Sequence, residues 1–280
     1  GNLIGHIDTS SFGSANSVSI YNGLAAVAIE NSVDRTLPGT IKLFDTSTRA
    51  LSSGINSIQV GALPDMVTFT AKGQKLLVAN EATPTTYGGF DPAGSVSIID
   101  MSTRSVTATA GLNGVAQSGS YIRQASSTGM DFEPEYITTN AAGTKAYVTL
   151  QEANAIGVLD LQSNSFSQVI GLGAKNFAAP GNSIDPSHKD GKIQLRSANV
   201  VGLYQPDSIA AYEAKGKTYL VMANEGATRE DDGDKARVKD KASLSGAPSD
   251  LGQLNVSTTD STSGTNLVTF GGRSFSIRDD

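Results

Sequence analysis

PDMVTFTAKGQKLLVANE, residues 64–81, is the stretch on which the fold turns. A turn-forming Pro-Asp pair leads into PDMVTFT (64–70), which alternates with period two; a short AKGQ turn follows, and KLLVANE (75–81) reads as the returning strand. The phrase recurs as PEYITTNAAGTKAYVTLQE (134–152) and PDSIAAYEAKGKTYLVMANE (206–225), with a degenerate first copy, NSVSIYNGLAAVAIE (16–30). Pro64 to Pro134 spans 70 residues and Pro134 to Pro206 spans 72. A long, nearly fixed period of strand-like units denotes a repeat architecture.

Working outward, GSVSIID (94–100) and SVTATAGL (105–112) complete a four-strand unit, with strands termed A to D. The third copy supplies 134–140, 145–152, AIGVLD (155–160) and SFSQVIGL (165–172); the first supplies NSVSI, LAAVAIE, GTIKLFD (39–45) and a D strand within 49–61. The fourth has strand A at 206–212 and strand B at 217–225, then a detour before strand C at RSFSIRD (273–279), and no D strand. The expected fold is all-β: one β-propeller of four-stranded antiparallel blades, blade 1 at about 16–61, blade 2 at about 64–112, blade 3 at about 134–172 and blade 4 at about 206–280 with an insertion at 226–271. A β-sandwich is the alternative, but it does not require repetition at the level of whole phrases. An unpaired last edge is a liability that proteins cover. The four units are therefore expected to be the N-terminal part of a larger propeller, completed by downstream sequence or a second chain.

The 280 residues contain no cysteine and no tryptophan, which removes disulfides, thiol chemistry and thiolate metal sites. The net charge of −6, without a Lys/Arg cluster, speaks against a nucleic-acid partner. No stretch approaches the ~18 consecutive apolar residues of a membrane span. The chain begins at Gly1 without a leader, which reads as a processed product or a fragment.

In an up-and-down sheet, the D-to-A and B-to-C connections share one face. The A-to-B turns (YNG, AKGQ, NAAGT, AKG) are short, whereas the long segments 82–93, 113–133, 173–205 and 226–271 all fall on the opposite face. Long loops in compact domains are commonly functional, so that face is the candidate working surface. Acidic residues gather there too. Asp65, Glu135 and Asp207 open strand A, while Glu30, Glu81, Glu152 and Glu225 close strand B. With strand A innermost, these oxygens ring one mouth of the channel, a donor set suited to a hard cation and to calcium above all. Pro-Asp is also an ordinary turn opener whose carboxylate caps nearby amides, and that reading stays open. Metal candidates are Glu81, Asp131, Glu133, Glu135, Glu152, Asp185, Asp190, Asp207 and Glu225; Arg123 and Arg229 are candidates for an anion. The charge run REDDGDKARVKDK (229–241) and its Ser/Thr/Gly-rich sequel read as a flexible or weakly structured insertion.

Five phrases carry a family resemblance: LPDMVTFTAKGQKLLVANE (63–81), DFEPEYITT (131–139), AYVTLQEANAIGVLD (146–160), YQPDSIAAYEAKGKTYLVMANEG (204–226) and FGGRSFSI (270–277). The chain resembles the choice-of-anchor I family of surface-anchored bacterial proteins, similar to a mesenchyme-specific cell-surface glycoprotein. The resemblance implies a seven-bladed propeller, export to the cell surface or exterior (the periplasm being the alternative), calcium association, and in some members an alkaline phosphatase label. Ala227 stands where the family carries an Asp, and His188 where it carries another, which weakens a metal-dependent phosphatase reading.

Two function classes follow. One is a non-catalytic, calcium-associated module in adhesion, matrix or surface assembly, with a surface polysaccharide or protein as partner. The other is a metal-dependent phosphomonoesterase, alkaline phosphatase or phytase-like, with its site in the acidic mouth. Phosphoester hydrolysis needs metals or an activated nucleophile. The only histidines, His6 and His188, make a histidine triad or zinc trio untenable, and no Gly-x-Ser-x-Gly elbow exists. The residues lean toward the binding module.

Overall fold

The computed structural model describes residues 1–86, 89–123, 132–229 and 233–280. The first blade is β1 (Ala15–Tyr21), β2 (Leu24–Ile29), β3 (Pro38–Asp45) and β4 (Ser57–Ala62), paired in that order. The second is β5 (Pro64–Phe69), β6 (Lys75–Asn80), β7 (Ser95–Asp100) and β8 (Ser105–Gly111). A short β9 (Gln117–Ser120) precedes the third blade, β10 (Pro134–Thr139), β11 (Lys145–Leu150), β12 (Ala155–Asp160) and β13 (Ser165–Leu172). Next come β14 (Ala174–Asn176), β15 (Val201–Leu203), β16 (Pro206–Ala214), β17 (Lys217–Asn224), β18 (Lys235–Arg237), β19 (Asn255–Ser257), β20 (Val268–Thr269) and β21 (Ser274–Asp279). Strands β16, β17 and β21 form the fourth blade, which has three strands among the described residues. The fold is thus all-β with propeller-type blades, and the expected D strand of blade 1 lies at Ser57–Ala62.

Turn chemistry fixes the hairpins. Asn22-Gly23 and Lys215-Gly216 each put two consecutive residues at positive φ (45° and 79°, 51° and 76°), matching the twist of the strands they join. At each C-to-D corner an aspartate closes the turn with its own side chain. Asp45 Oδ1 accepts the Ser47 and Thr48 N–H groups at 2.9 Å, Asp100 Oδ1 that of Ser102 at 2.7 Å, and Asp160 Oδ1 those of Gln162 and Ser163 at 2.7 and 2.9 Å.

Strand A is innermost. β1 lies against β5, β5 against β10 and β10 against β16. Hydroxyls stitch these neighbours together: Ser17 and Ser19 Oγ accept from the Val67 and Phe69 amides at 3.2 Å, and Thr138 Oγ1 accepts from Ala211 N–H at 3.0 Å. Apolar seams lie between successive blades. Ile41, Leu43 and Val60 meet Leu76 and Val78; Leu77 and Ile98 meet Val148 and Phe166; Tyr147 and Ile156 meet Leu220 and Met222. Each such side chain, fully buried, contributes about 1.5–3 kcal/mol relative to exposure.

Two features depart from the sequence reading. Gln117–Ser120, expected to be loop, adds to the outer edge of blade 3 by parallel pairing with β13, Val169 to Leu172 facing Gln117 to Ser120. The insertion, expected to be weakly structured, packs with the 173–205 segment around its own apolar cluster. Phe177, Ile184 and Val200 meet Val238, Leu244, Leu251, Val256 and Leu267 there. Sparse apolar residues spread over two distant segments suffice because each lands in one shared core.

Gly226 and Gly271 stand where the insertion leaves and rejoins blade 4, at φ +97° and +82°. A Cβ on Gly271 would sit 2.4 Å from Glu225 O, so no side chain fits. Gly271→Ala is expected to destabilise the chain by about 1–3 kcal/mol, from backbone strain alone, in urea unfolding. An unchanged midpoint would contradict that close approach.

Candidate functional site

Every strand A begins with a slip in register: between Ala15 and Ser17, Pro64 and Met66, Pro134 and Ile137, and Pro206 and Ile209. A bulge leaves its extra residue out of the ladder and re-aims its side chain. The residues in the slips are Asn16, Asp65, Glu135 with Tyr136, and Asp207 with Ser208. The Pro-acid phrase is therefore a bulge that turns an acidic side chain out of the ladder at the inner end of the blade.

Strand register also re-aligns the ends of strand B. Pro64 faces Asn80 and Pro206 faces Asn224, yet Pro134 faces Leu150 rather than Gln151. Gln151 thus takes the place of Glu81, and Glu152 reaches one residue further. Asn80 and Asn224 are buried and structural: their amides donate to Ser95 and Ser97 Oγ (3.0 and 2.9 Å) and to Ser274 and Ser276 Oγ (3.1 and 2.8 Å).

Of the predicted site residues, the structure brings Glu81, Glu133, Glu135, Glu152 and Asp207 together, with Asp65 beside them. Burial pushes the Glu81 carboxyl up to about 7, and Asp65 and Glu152 add to this against a 2.5 Å hydrogen bond from Thr83 Oγ1. Glu133 is pushed up to about 9 by burial and by Glu152 and Glu81, with Arg229 opposing. Glu135 is raised further by burial, Glu152, Glu81 and Asp207. Burial also raises Asp65, helped by Asp207 and opposed by Arg35. Like charges in a shared low-dielectric site cannot all ionise, so this cluster retains protons at neutral pH. With its amide turned to satisfy both neighbours, Gln151 donates to Glu135 Oε2 at 3.2 Å and accepts from Asp207 N–H at 3.3 Å.

Glu152, like Glu133 and Glu135, is buried. It is 9% exposed, burial raises its pKa, a side-chain hydrogen bond with Glu135 lowers it, and among the described residues its Oε2 has no donor other than a carboxyl. Arg123 and Arg229 flank it and pull the other way. Arg123, 4% exposed, spends its guanidinium on protein groups: Nε donates to Asp260 Oδ2 at 2.8 Å, Nη1 to Glu152 O at 3.2 Å, Nη2 to Ser257 Oγ at 3.3 Å and to Asp234 Oδ1. Arg229 N–H donates to Asp234 Oδ2 at 3.0 Å, and its Nη2 to Arg123 O at 3.4 Å. This knot ties the segment before blade 3 and the end of β11 to the insertion. Sequence reasoning missed Asp234 and Asp260 as its partners, since both lie over a hundred residues from Arg123.

The remaining candidates lie elsewhere. Glu225 is exposed. Asp185 and Asp190 close turns of their own segment, Asp185 accepting from the Ser187 and Gln194 amides at 3.3 and 3.2 Å and Asp190 from Lys192 at 3.1 Å. Asp131 lies outside the described residues. Among the described residues, no three Asp, Glu or His side chains stand close enough to clasp a metal ion as they are. The donors here are all oxygens, the type a hard cation takes, but they are not arranged around one point. No helix among the described residues is long and apolar enough to cross a membrane.

A comparison with curated proteins gives no match. Among solved structures, the chain is similar to the crystal structure of RRP9 WD40 repeats at 9% identity and a TM-score of 0.43, over 76% of this chain and 45% of that one. The chain therefore spans under half the length of that structure. The description of one family, the choice-of-anchor I domain, matches residues 1–280, and such domains are associated with cell-surface proteins. With that match along its whole length, the chain belongs to the choice-of-anchor I family.

Proposed function

We propose that this chain is a surface-displayed propeller module, extracellular or cell-surface, that works in adhesion, matrix or surface assembly and takes a calcium ion at its acidic mouth. The observation that carries the reading is the gathering of Glu152 with three further glutamates in one buried site, where among the described residues Glu152 Oε2 has no donor other than a carboxyl. A buried polar group left unpaired is costly, and an added cation removes that cost. Glu81, Glu133, Glu135 and Glu152 would hold the ion, with Asp65 and Asp207 at the rim. The bound ion would supply positive charge that neutralises the cluster and locks the inner ends of blades 2 and 3 together.

The phosphomonoesterase alternative has no comparable observation behind it. Arg123 and Arg229, the cations that would meet a phosphate, already serve Asp234 and neighbouring carbonyls. Further propeller blades and a surface polysaccharide or protein are the partners this reading expects.

Calorimetric titration of calcium at pH 7.5 tests it. The expected Kd is about 10⁻⁴ to 10⁻³ M, the range of extracellular modules. Glu152→Gln, which keeps shape and removes charge, is expected to weaken binding at least about tenfold, worth roughly 1.4 kcal/mol. Equal calcium affinity in that variant, or no heat in the parent chain, would reject the site.

A further inference from the structure

A pocket of about 280 Å³ lies where the 173–205 segment meets the insertion, and none of Glu81, Glu133, Glu135 and Glu152 lines it. Part of its wall is apolar. Pro186 and Leu254 are buried there, and Phe270 is half-buried, its ring held under the Arg123 guanidinium at 5.4 Å. His188, Lys235 and Arg273, all exposed, line the same pocket from three separate stretches of the chain. The volume is just under the ~300–1,000 Å³ of pockets that take drug-sized ligands, so the space suits one ring-sized unit.

Charge sets the pocket apart. The chain carries a net charge of −6, yet three basic side chains converge here, and among the described residues none of them has an acidic partner. Lys235 Nζ donates only to Thr228 Oγ1, at 3.3 Å. Asp185 also lines the pocket, but its oxygens accept the Ser187 and Gln194 amides of its own loop. Gln253 Oε1, another polar atom of the wall residues, has no hydrogen-bond partner among the described residues. A concave site lined by one sign of charge over apolar walls focuses its field on a ligand of the opposite sign.

We infer that this pocket binds one carboxylate-bearing sugar unit of an acidic polysaccharide. The C–H face of the pyranose packs on Phe270 and Leu254, and the carboxylate meets Arg273, Lys235 and His188. Burying the ring face removes apolar surface from water, and the guanidinium and ammonium supply charge-assisted hydrogen bonds. A small inorganic anion would leave the apolar wall unused, and a neutral sugar would leave the basic rim unpaired. The inference rests on the surface-polysaccharide reading proposed above and deepens it; the calcium site plays no part in it.

The test is calorimetry of the 280-residue chain with trigalacturonate, in EDTA so that calcium bridges nothing. Saturable binding is expected. The methyl ester of the same trisaccharide, which keeps the rings and removes the charge, is expected to bind at least about tenfold more weakly. The double variant Lys235→Gln, Arg273→Gln changes two exposed side chains outside the apolar clusters, and is expected to lose at least about tenfold in affinity at an unchanged urea midpoint. Equal binding of acid and ester, or full affinity in the double variant, would overturn the inference. So would absence of saturable binding. If immobilised polygalacturonate still retained the chain in either of the last two cases, the polysaccharide reading would stand without this pocket; if it did not, both would fall.

Discussion

Arg123→Ala is expected to cost about 3–5 kcal/mol of stability in urea unfolding at pH 7, the magnitude found when one partner of a buried ion pair is removed. The substitution strands Asp234, which is 8% exposed, and withdraws donors from Asp260, Glu152 O and Ser257. It also uncovers Phe270, over whose ring the guanidinium lies at 5.4 Å. The loss should be non-additive with Asp234→Asn, which removes the stranded charge. Arg123→Ala within about 1 kcal/mol of the parent would mean that the knot does not hold the insertion onto blade 3.

Stability in EDTA is expected to fall as pH rises from 5 to 8. The Glu81 carboxyl moves from 4.5 to about 7 on folding. The folded chain then holds a proton that the unfolded chain has released, so stability from this group is full below about pH 4.5 and is lost as pH climbs through about 7. At about 1.4 kcal/mol per pH unit, Glu81 alone contributes a fall of roughly 3 kcal/mol, and Glu133 extends the decline toward pH 9. Below pH 4 the trend reverses. Asp260, although burial pushes it up, is held below its ordinary value by hydrogen bonds from Ser257 and Arg123, and protonating it removes their support. Glu81→Gln should flatten the slope between pH 5 and 8, and calcium should restore stability at pH 8, since cation and proton compete for the same oxygens. A parent chain that grows more stable from pH 5 to 8 in EDTA would show that the glutamates are already ionised in the fold.

The blades were legible because two signals coincide in each: period-two alternation and a turn with fixed chemistry, as at Asn22-Gly23 and Lys215-Gly216. The acidic mouth was legible because Pro-acid and the strand-B glutamates recur at matching places. Equivalence within the set was not. The interval from proline to glutamate grows by one residue from each copy to the next, and that drift was the available warning. It separates exposed Glu225 from buried Glu152 and makes Gln151 the true counterpart of Glu81. β9 left no trace because a four-residue QSGS strand has no apolar face and is defined only by its partner. The insertion stayed hidden because Phe177, Ile184 and Val200 belong to a segment that blade 4's first two strands separate from Val238–Leu267. Arg123 was visible as a cation, but its carboxylate partners come from far along the chain, and no local pattern records such a pairing.

The bulge at the start of every innermost strand has a consequence for how such a protein diversifies. Each bulged position stands outside its own ladder yet meets the next blade: the Asn16 amide donates to Pro64 O at 3.3 Å, and Thr149 Oγ1 donates to Asp207 O at 2.7 Å. Asp65, Glu135 and Asp207 are therefore linked positions, since Asp207 raises both of the other acids across the blades. A change of charge at one blade shifts the protonation of the acids on its neighbours, so the mouth is altered as a unit and not one blade at a time.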